Sequence, residues 1–312
     1  MSTELVGTDP GTGTAAHTPG AGNDDGVRDG AVGNSAVVLA PEKRRRTALG
    51  PVSLWLTVIP LLILVGWAVL PGLFTAFDPI SGVPKQKFLS PSPDHWFGTD
   101  HLGRDIYARV VYGTSQTLLT AGLAVLIGFV VGTALGLLAA TAGRAADATT
   151  MRLVDVLLAV PGFLISLIIV TAFAPGPISL GVGVGIASIA AFARVVRSEV
   201  LRVRNLDYVE AAFLNGGSYW SVIWKHILPN SCGPVLALLA VDLGAAILAI
   251  SGLGFLGFGA PPPTPEWGLL ISEGRQYLAR AWWMTSLPGL VIVIAVMLLA
   301  GLGRQLLKFF RF

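Results

Sequence analysis

The sequence predicts an all-α, polytopic membrane protein. Three observations carry that prediction: 53% of the 312 residues are hydrophobic, only 12% are charged, and the apolar residues gather in long runs. Soluble domains carry about 25% charged residues, because water must be faced by polar groups. Here the charge collects in a few loops. The net charge of +3 comes from basic residues that flank apolar runs, a pattern of membrane topology rather than nucleic-acid binding.

A helix of about 20 apolar residues covers the hydrocarbon core of a bilayer. Six runs meet that length, at 53–74, 115–142, 153–174, 178–196, 233–257 and 286–307. Before them, residues 1–47 are rich in Gly, Thr, Asp, Ala and Pro, too polar to bury the surface that ordering requires. They are expected to form a disordered cytoplasmic tail, and they hold no apolar stretch of the kind a secretory signal needs. Residues 48–312 are expected to form one transmembrane domain.

In the second run Gly128, Gly132 and Gly136 repeat at four-residue steps that let another helix approach closely. In the third, Asp155 is expected in the first helical turn, favoured by the helix dipole. Pro161 there, and Pro288 in the sixth run, each remove a helix hydrogen bond and predict kinks. The fourth run, with Gly181, Gly183 and Gly185, reads as a closely packed helix, and Arg194 and Arg197 at its end snorkel to the interface. The fifth holds Asp242 at membrane depth, where a charge costs about 3 kcal/mol and normally faces a cavity or a partner.

Orientation follows from Lys and Arg near the span ends. With the N-terminus inside, 13 flank the inner side against 6 on the outer side. Both termini are then cytoplasmic, and segments 75–114 and 258–285 are external, with Trp267, Trp282 and Trp283 as interfacial anchors. Within 98–105, alternating Asp100, Arg104 and Asp105 suggest local salt links or an external contact.

The chemistry available is limited. The single cysteine, Cys232, excludes an intrachain disulfide and reads as a buried small hydrophobe. Neither an HExxH metal motif nor a Walker A phosphate loop occurs, so no metal, no cofactor and no intrinsic ATP hydrolysis are expected. The four histidines (His17, His95, His101, His226) are scattered over tail and loops. Residues 252–257 satisfy GxGxxG, but inside an apolar span without the strand–turn–helix setting of a dinucleotide site.

The segment between the fourth and fifth runs carries the most information. Asp207 reads as an N-cap with Glu210 as its reciprocal partner, opening a helix of residues 208–215 that Gly216 and Gly217 stop. Ser218 caps a second helix whose Trp220, Ile223, Trp224 and Ile227 fall on one apolar face, closed by Pro229. A helix pair at the membrane surface serves either lipid contact or a cytoplasmic partner.

The residues Glu210-Ala211-Ala212, Gly216 and Ile227-Leu228-Pro229 resemble the EAA loop of ABC importer permeases, covering about 200–229. Phe97-Gly98-Thr99-Asp100 with Gly103-Arg104-Asp105 is similar to the signature of the C-type permease in dipeptide, oligopeptide and nickel importers. Met151-Arg152, Phe255-Leu256-Gly257, Glu266-Trp267-Gly268 and Pro288-Gly289 follow that family's pattern in order. Asn215, before the Gly, and Ile250 depart from it.

The resemblance implies an ABC type I importer permease fold with six transmembrane helices, carrying di- or oligopeptides. Nickel chelates, haem or glutathione are alternative cargoes, and an ATP-independent secondary transporter is a rival class. It implies that Tyr208, Glu210, Ala211, Ala212, Phe213 and Gly216 couple the chain to two ATP-binding-cassette ATPase subunits. The other partners implied are a homologous B-type permease, an extracellular or periplasmic solute-binding protein and membrane lipid. Asp242 is the candidate for the translocation path.

Overall fold

The computed structural model describes residues 51–310, so the 1–47 tail lies outside the described residues. Regular structure among them is helical, beside one isolated β-bridge between Thr99 and Asp105. Helix α1 runs over Pro51–Val69 and α2 over Ile106–Thr141. α2 starts nine residues before the predicted run because Asp105 caps it, its carboxylate accepting the Ala108 N–H at 2.7 Å.

The third run is two helices, α3 (Arg144–Ala159) and α4 (Gly162–Phe173), bent by 83°. Pro161 sets the break. It lacks an N–H, and it holds Val160 in extended backbone at φ −97° and ψ 127°. Asp155 therefore lies toward the C-terminal end of α3, which removes the expected dipole role at a helix start. Helix α5 spans Pro177–Arg204, eight residues beyond the predicted end. A short α6, Asp207–Leu214, follows.

Next, α7 (Tyr219–Val222), one π-helical turn (Ile223–Ile227) and α8 (Leu228–Phe255) form a continuous helix of 37 residues. Pro229 was expected to end the pattern, but the helix passes through it. In the wide turn the Leu228 N–H bonds the Ile223 carbonyl five residues back, which relaxes the ladder just before the proline ring enters it. The turn also splits the predicted apolar stripe. Ile223 and Ile227 are buried, whereas Trp220 and Trp224 are 65% and 63% exposed.

Helix α9 (Trp267–Gly274) and α10 (Trp283–Phe309) complete the chain, with Pro288 in the second turn of α10. Among the described residues four helices are long and apolar enough to cross a membrane, the bent pair makes a fifth, and Trp55–Val69 is a shorter apolar helix. The predicted count of six is thus not reached by length and composition alone.

The centre of the bundle is the α2–α5 contact, and glycine makes it possible. A Cβ on Gly128 would lie 2.7 Å from Cβ of Ser188, on Gly132 2.5 Å from Cβ of Phe192, and on Gly136 2.7 Å from the Ala193 carbonyl. From the other side, a Cβ on Gly185 would lie 2.8 Å from the Ala124 carbonyl. Two backbones in direct contact replace side-chain packing with close van der Waals approach, the main attraction available between helices in lipid. Cys232 is exposed on α8 rather than buried, its thiol donating to the Leu228 carbonyl at 3.1 Å.

Candidate functional site

At one end of the bundle, α6 stands on a single anchor. Leu206 is the N-cap, in extended backbone at φ −90° and ψ 142°, and no side chain caps the helix. Asp207 is thus the first helical residue rather than the expected cap. With Glu210 it places two carboxylates in the first turn, where the helix dipole favours them. The other end matches expectation. Gly216 adopts φ +82°, its N–H bonds the Phe213 carbonyl at 3.0 Å, and the Gly217 N–H bonds the Ala212 carbonyl at 3.1 Å. That pair of bonds is a Schellman motif, and a left-handed residue there favours glycine.

Val209 is fully buried, Ala212 and Phe213 are half-buried, and Tyr208, Glu210 and Ala211 face outward. Leu214 is 82% exposed, close to Trp220 and Trp224 in sequence. The segment is fixed from below: the Tyr219 hydroxyl donates to the Thr141 carbonyl at 2.6 Å, and Arg204 donates to the Ala140 carbonyl at 3.3 Å. This end therefore presents a short helix whose small, acidic and apolar side chains point away from the chain.

The opposite end is closed. Asp100 accepts from Arg104 at 2.6 Å and from Arg109 at 3.1 Å, and Glu273 accepts from Arg109 at 2.5 Å and from Arg104 at 3.1 Å. His95 pairs with Asp105 at 2.8 Å. Burial penalises the Asp100 carboxylate, but the Arg104 N–H, the Arg104 charge, the Leu102 N–H and Arg109 together hold its pKa below the ordinary value. Asp100, Arg104 and Asp105 are all buried, so these three expected contact residues turn inward. Trp267 and Trp283 are not interfacial anchors either. Both are buried, donating to the carbonyls of Val110 at 3.1 Å and Thr99 at 3.2 Å, while Trp282 stays exposed.

Glu266, which the sequence marked only as part of a motif, caps α9. Its carboxyl accepts the Gly268 N–H at 2.9 Å and the Leu269 N–H at 3.1 Å. Burial outweighs those two bonds and pushes its pKa up to about 7.

Between the two ends, Asp242 lies midway along α8 and is half-buried. Ser188 of α5 donates to one of its oxygens at 3.2 Å, and its other oxygen is buried without a partner. The expected snorkelling arginines are paired. Arg197 holds Asp147 with two bonds of 2.5 and 2.6 Å, and Arg194 holds Asp155 with one of 2.6 Å. Residues 252–257 close a helix, with Gly252 and Gly254 inside it, so they form no phosphate loop.

Comparison with known proteins fits this geometry. Residues 132–310 match the family described as binding-protein-dependent transport system inner membrane component. The probable D,D-dipeptide transport system permease protein DdpC of Escherichia coli (strain K12) is 36% identical over 244 residues, 78% of this chain and 82% of that protein. The glutathione transport system permease protein GsiD of Pectobacterium atrosepticum is 39% identical over 213 residues, 68% of this chain and 71% of that protein. Among solved structures, an inward-facing form of the MetNI methionine ABC transporter is similar with a TM-score of 0.55 and 19% identity, covering 66% of this chain and 98% of that one. At that identity the likeness speaks to the fold alone.

Proposed function

Because this chain belongs to the family of binding-protein-dependent transport system inner membrane components, we propose that it forms half of the translocation path for di- and oligopeptides in an ABC importer. As a member of that family it is a multi-pass inner membrane protein and a permease subunit. ATP hydrolysis belongs to partner ATPases on this reading, and a second, B-type permease supplies the other half of the path. A binding protein delivers cargo from outside.

The observation that carries the coupling role is the outward face of α6. Tyr208, Glu210 and Ala211 point away from the chain, Ala212 and Phe213 pack beneath them, and Gly216 fixes the helix end. Small side chains let such a helix enter a groove of a partner, and an acidic first turn offers charge to a basic one. The distribution of Lys and Arg supports a cytoplasmic position for this end and for both termini. Asp242, half-buried midway along α8, is the proposed acid of the path.

The peptide cargo is favoured by the relatives named for dipeptides, and glutathione, itself a small peptide, is the second reading because GsiD is named for it. The test is purification of the intact importer with Glu210→Arg in this chain. Membrane insertion and assembly are expected to persist while binding-protein-stimulated ATP hydrolysis loses its link to uptake. Unchanged coupled uptake, or a parent chain that purifies without any ATPase, overturns the reading.

A further inference from the structure

Around the closed network lies an open rim, at the end where α1 and α8 finish and α2 and α10 begin. Asp100 and Glu273 answer Arg104 and Arg109 inside it. The exposed charges of the rim are Lys85, Lys87, Arg275 and Arg280, against Asp78 and Asp94. None of those four cations pairs with a carboxylate among the described residues.

The two signs are sorted. Phe77 packs its ring on His95 at 5.1 Å, which brings the adjoining acids Asp78 and Asp94 to one side. On the other, Phe88 adopts φ +56°, a backbone that aromatic residues rarely take. Its N–H donates to the Asp100 carbonyl at 3.1 Å, and the Leu89 N–H donates to the Thr99 hydroxyl at 2.8 Å. The Phe88 ring then meets Tyr277 at 5.1 Å and carries the Arg280 guanidinium at 4.4 Å. Lys87 directly precedes Phe88, and Lys85 sits in the short turn Pro84–Gln86 before it. Exposed Leu89 and Leu278 adjoin the same two rings in sequence.

These cations run against the bias that orients membrane chains. Lys and Arg gather on the cytoplasmic side, and anionic lipid sets up its negative potential there too. On the proposed orientation the rim is external, so neither topology nor lipid charge accounts for unpaired cations on it. A cluster of one sign speeds encounter with a partner of the opposite sign and orients it. The family that this chain matches is one of binding-protein-dependent transport components.

We propose that Lys85, Lys87 and Arg280 form a docking surface for an acidic face of the solute-binding protein that serves this importer. Phe88 already holds Arg280, so little side-chain freedom is lost there on docking. Lys85 and Lys87 supply the steering. Asp78 and Asp94 repel the same acidic face if it arrives turned round, which selects one way of docking. This assignment rests on the importer reading and names the surface and the charge of the partner.

The test uses the complete importer in nanodiscs, titrated with its cognate binding protein while ATP hydrolysis is measured. In the double variant K85E with K87E, half-maximal stimulation is expected to need about tenfold more binding protein, with the plateau rate still reached. Raising sodium chloride from about 50 mM to about 300 mM is expected to weaken stimulation of the parent strongly and of the double variant little. Arg280→Gln is expected to shift the half-maximal concentration in the same direction by less.

An unchanged half-maximal concentration, or a lower plateau without any shift in it, overturns the proposal. A loss confined to nanodiscs that contain phosphatidylglycerol, and absent in phosphatidylcholine alone, marks a lipid site and overturns it as well. A parent importer that no binding protein stimulates sinks the proposed function, and this surface with it. A stimulated parent with an unshifted double variant sinks the surface alone.

Discussion

At the closed end of the molecule, Asp100, Arg104, Arg109 and Glu273 neutralise one another with 17% exposure or less. At the α6 end, Asp207 and Glu210 stand in the open with no ion pair among the described residues. The same residue types do different work because their desolvation differs. A charge removed from water must be matched inside the chain, whereas a charge left in water is free to meet a separate partner. Substitutions at the closed end should therefore act on stability, and those at the α6 end on assembly function.

The largest effect is expected for Arg109→Met, which leaves the buried Asp100 and the half-buried Glu273 carboxylates facing only Arg104. Breaking such a network costs about 3–5 kcal/mol, read as a lowered thermal unfolding midpoint of the detergent-purified protein. A midpoint unmoved by that change would erase the contrast between the two ends.

Glu266 sharpens the contrast through pH. Its ordinary value is 4.5 and its folded value about 7, so between them the folded chain keeps a proton that the unfolded chain has lost. Stability should be greatest below the lower value and fall by about 1.4 kcal/mol per pH unit up to the higher one, then level off. Glu266→Gln is expected to flatten that slope in unfolding midpoints taken from pH 5 to pH 7.

A smaller loss is expected for Gly103→Ala. Gly103 has φ +80°, and an added Cβ would press on the Val83 carbonyl. Left-handed backbone at a non-glycine residue together with that contact costs about 1–3 kcal/mol, measurable by the same unfolding midpoint.

Least of all should happen at Leu214. Leu214→Ser alters a side chain already 82% exposed, so stability should shift by no more than about 0.5 kcal/mol. Copurification of the ATPase is nevertheless expected to weaken, and full retention would argue that this part of the surface is not used.

Sequence patterns reach as far as local physics does. The glycine steps at 128, 132 and 136 announced a close helix contact, and Gly216 announced the end of α6, because backbone conformation and close approach leave few alternatives to glycine. The cap on α2 was also visible in principle, since Asp105 stands three residues before Ala108 and opens an apolar run. Pro161 signalled a bend but not its size of 83°. The pairing of Arg109 with Glu273 was not legible, because the two lie 164 positions apart and only the fold brings them together. The pairing of Arg194 with Asp155 was hidden for the same reason, each residue being read on its own helix.

The π-helical turn at Ile223–Ile227 joins the segment beyond α6 to a membrane span without a loop between them. The result is a single lever about 55 Å long, from Tyr219 to Phe255. Its far tip lies beside the carboxyl of Glu266, which abuts Gly254. A tilt applied at Tyr219 would travel along one unbroken helix to the end where Glu266 sits, with no loop between to absorb it.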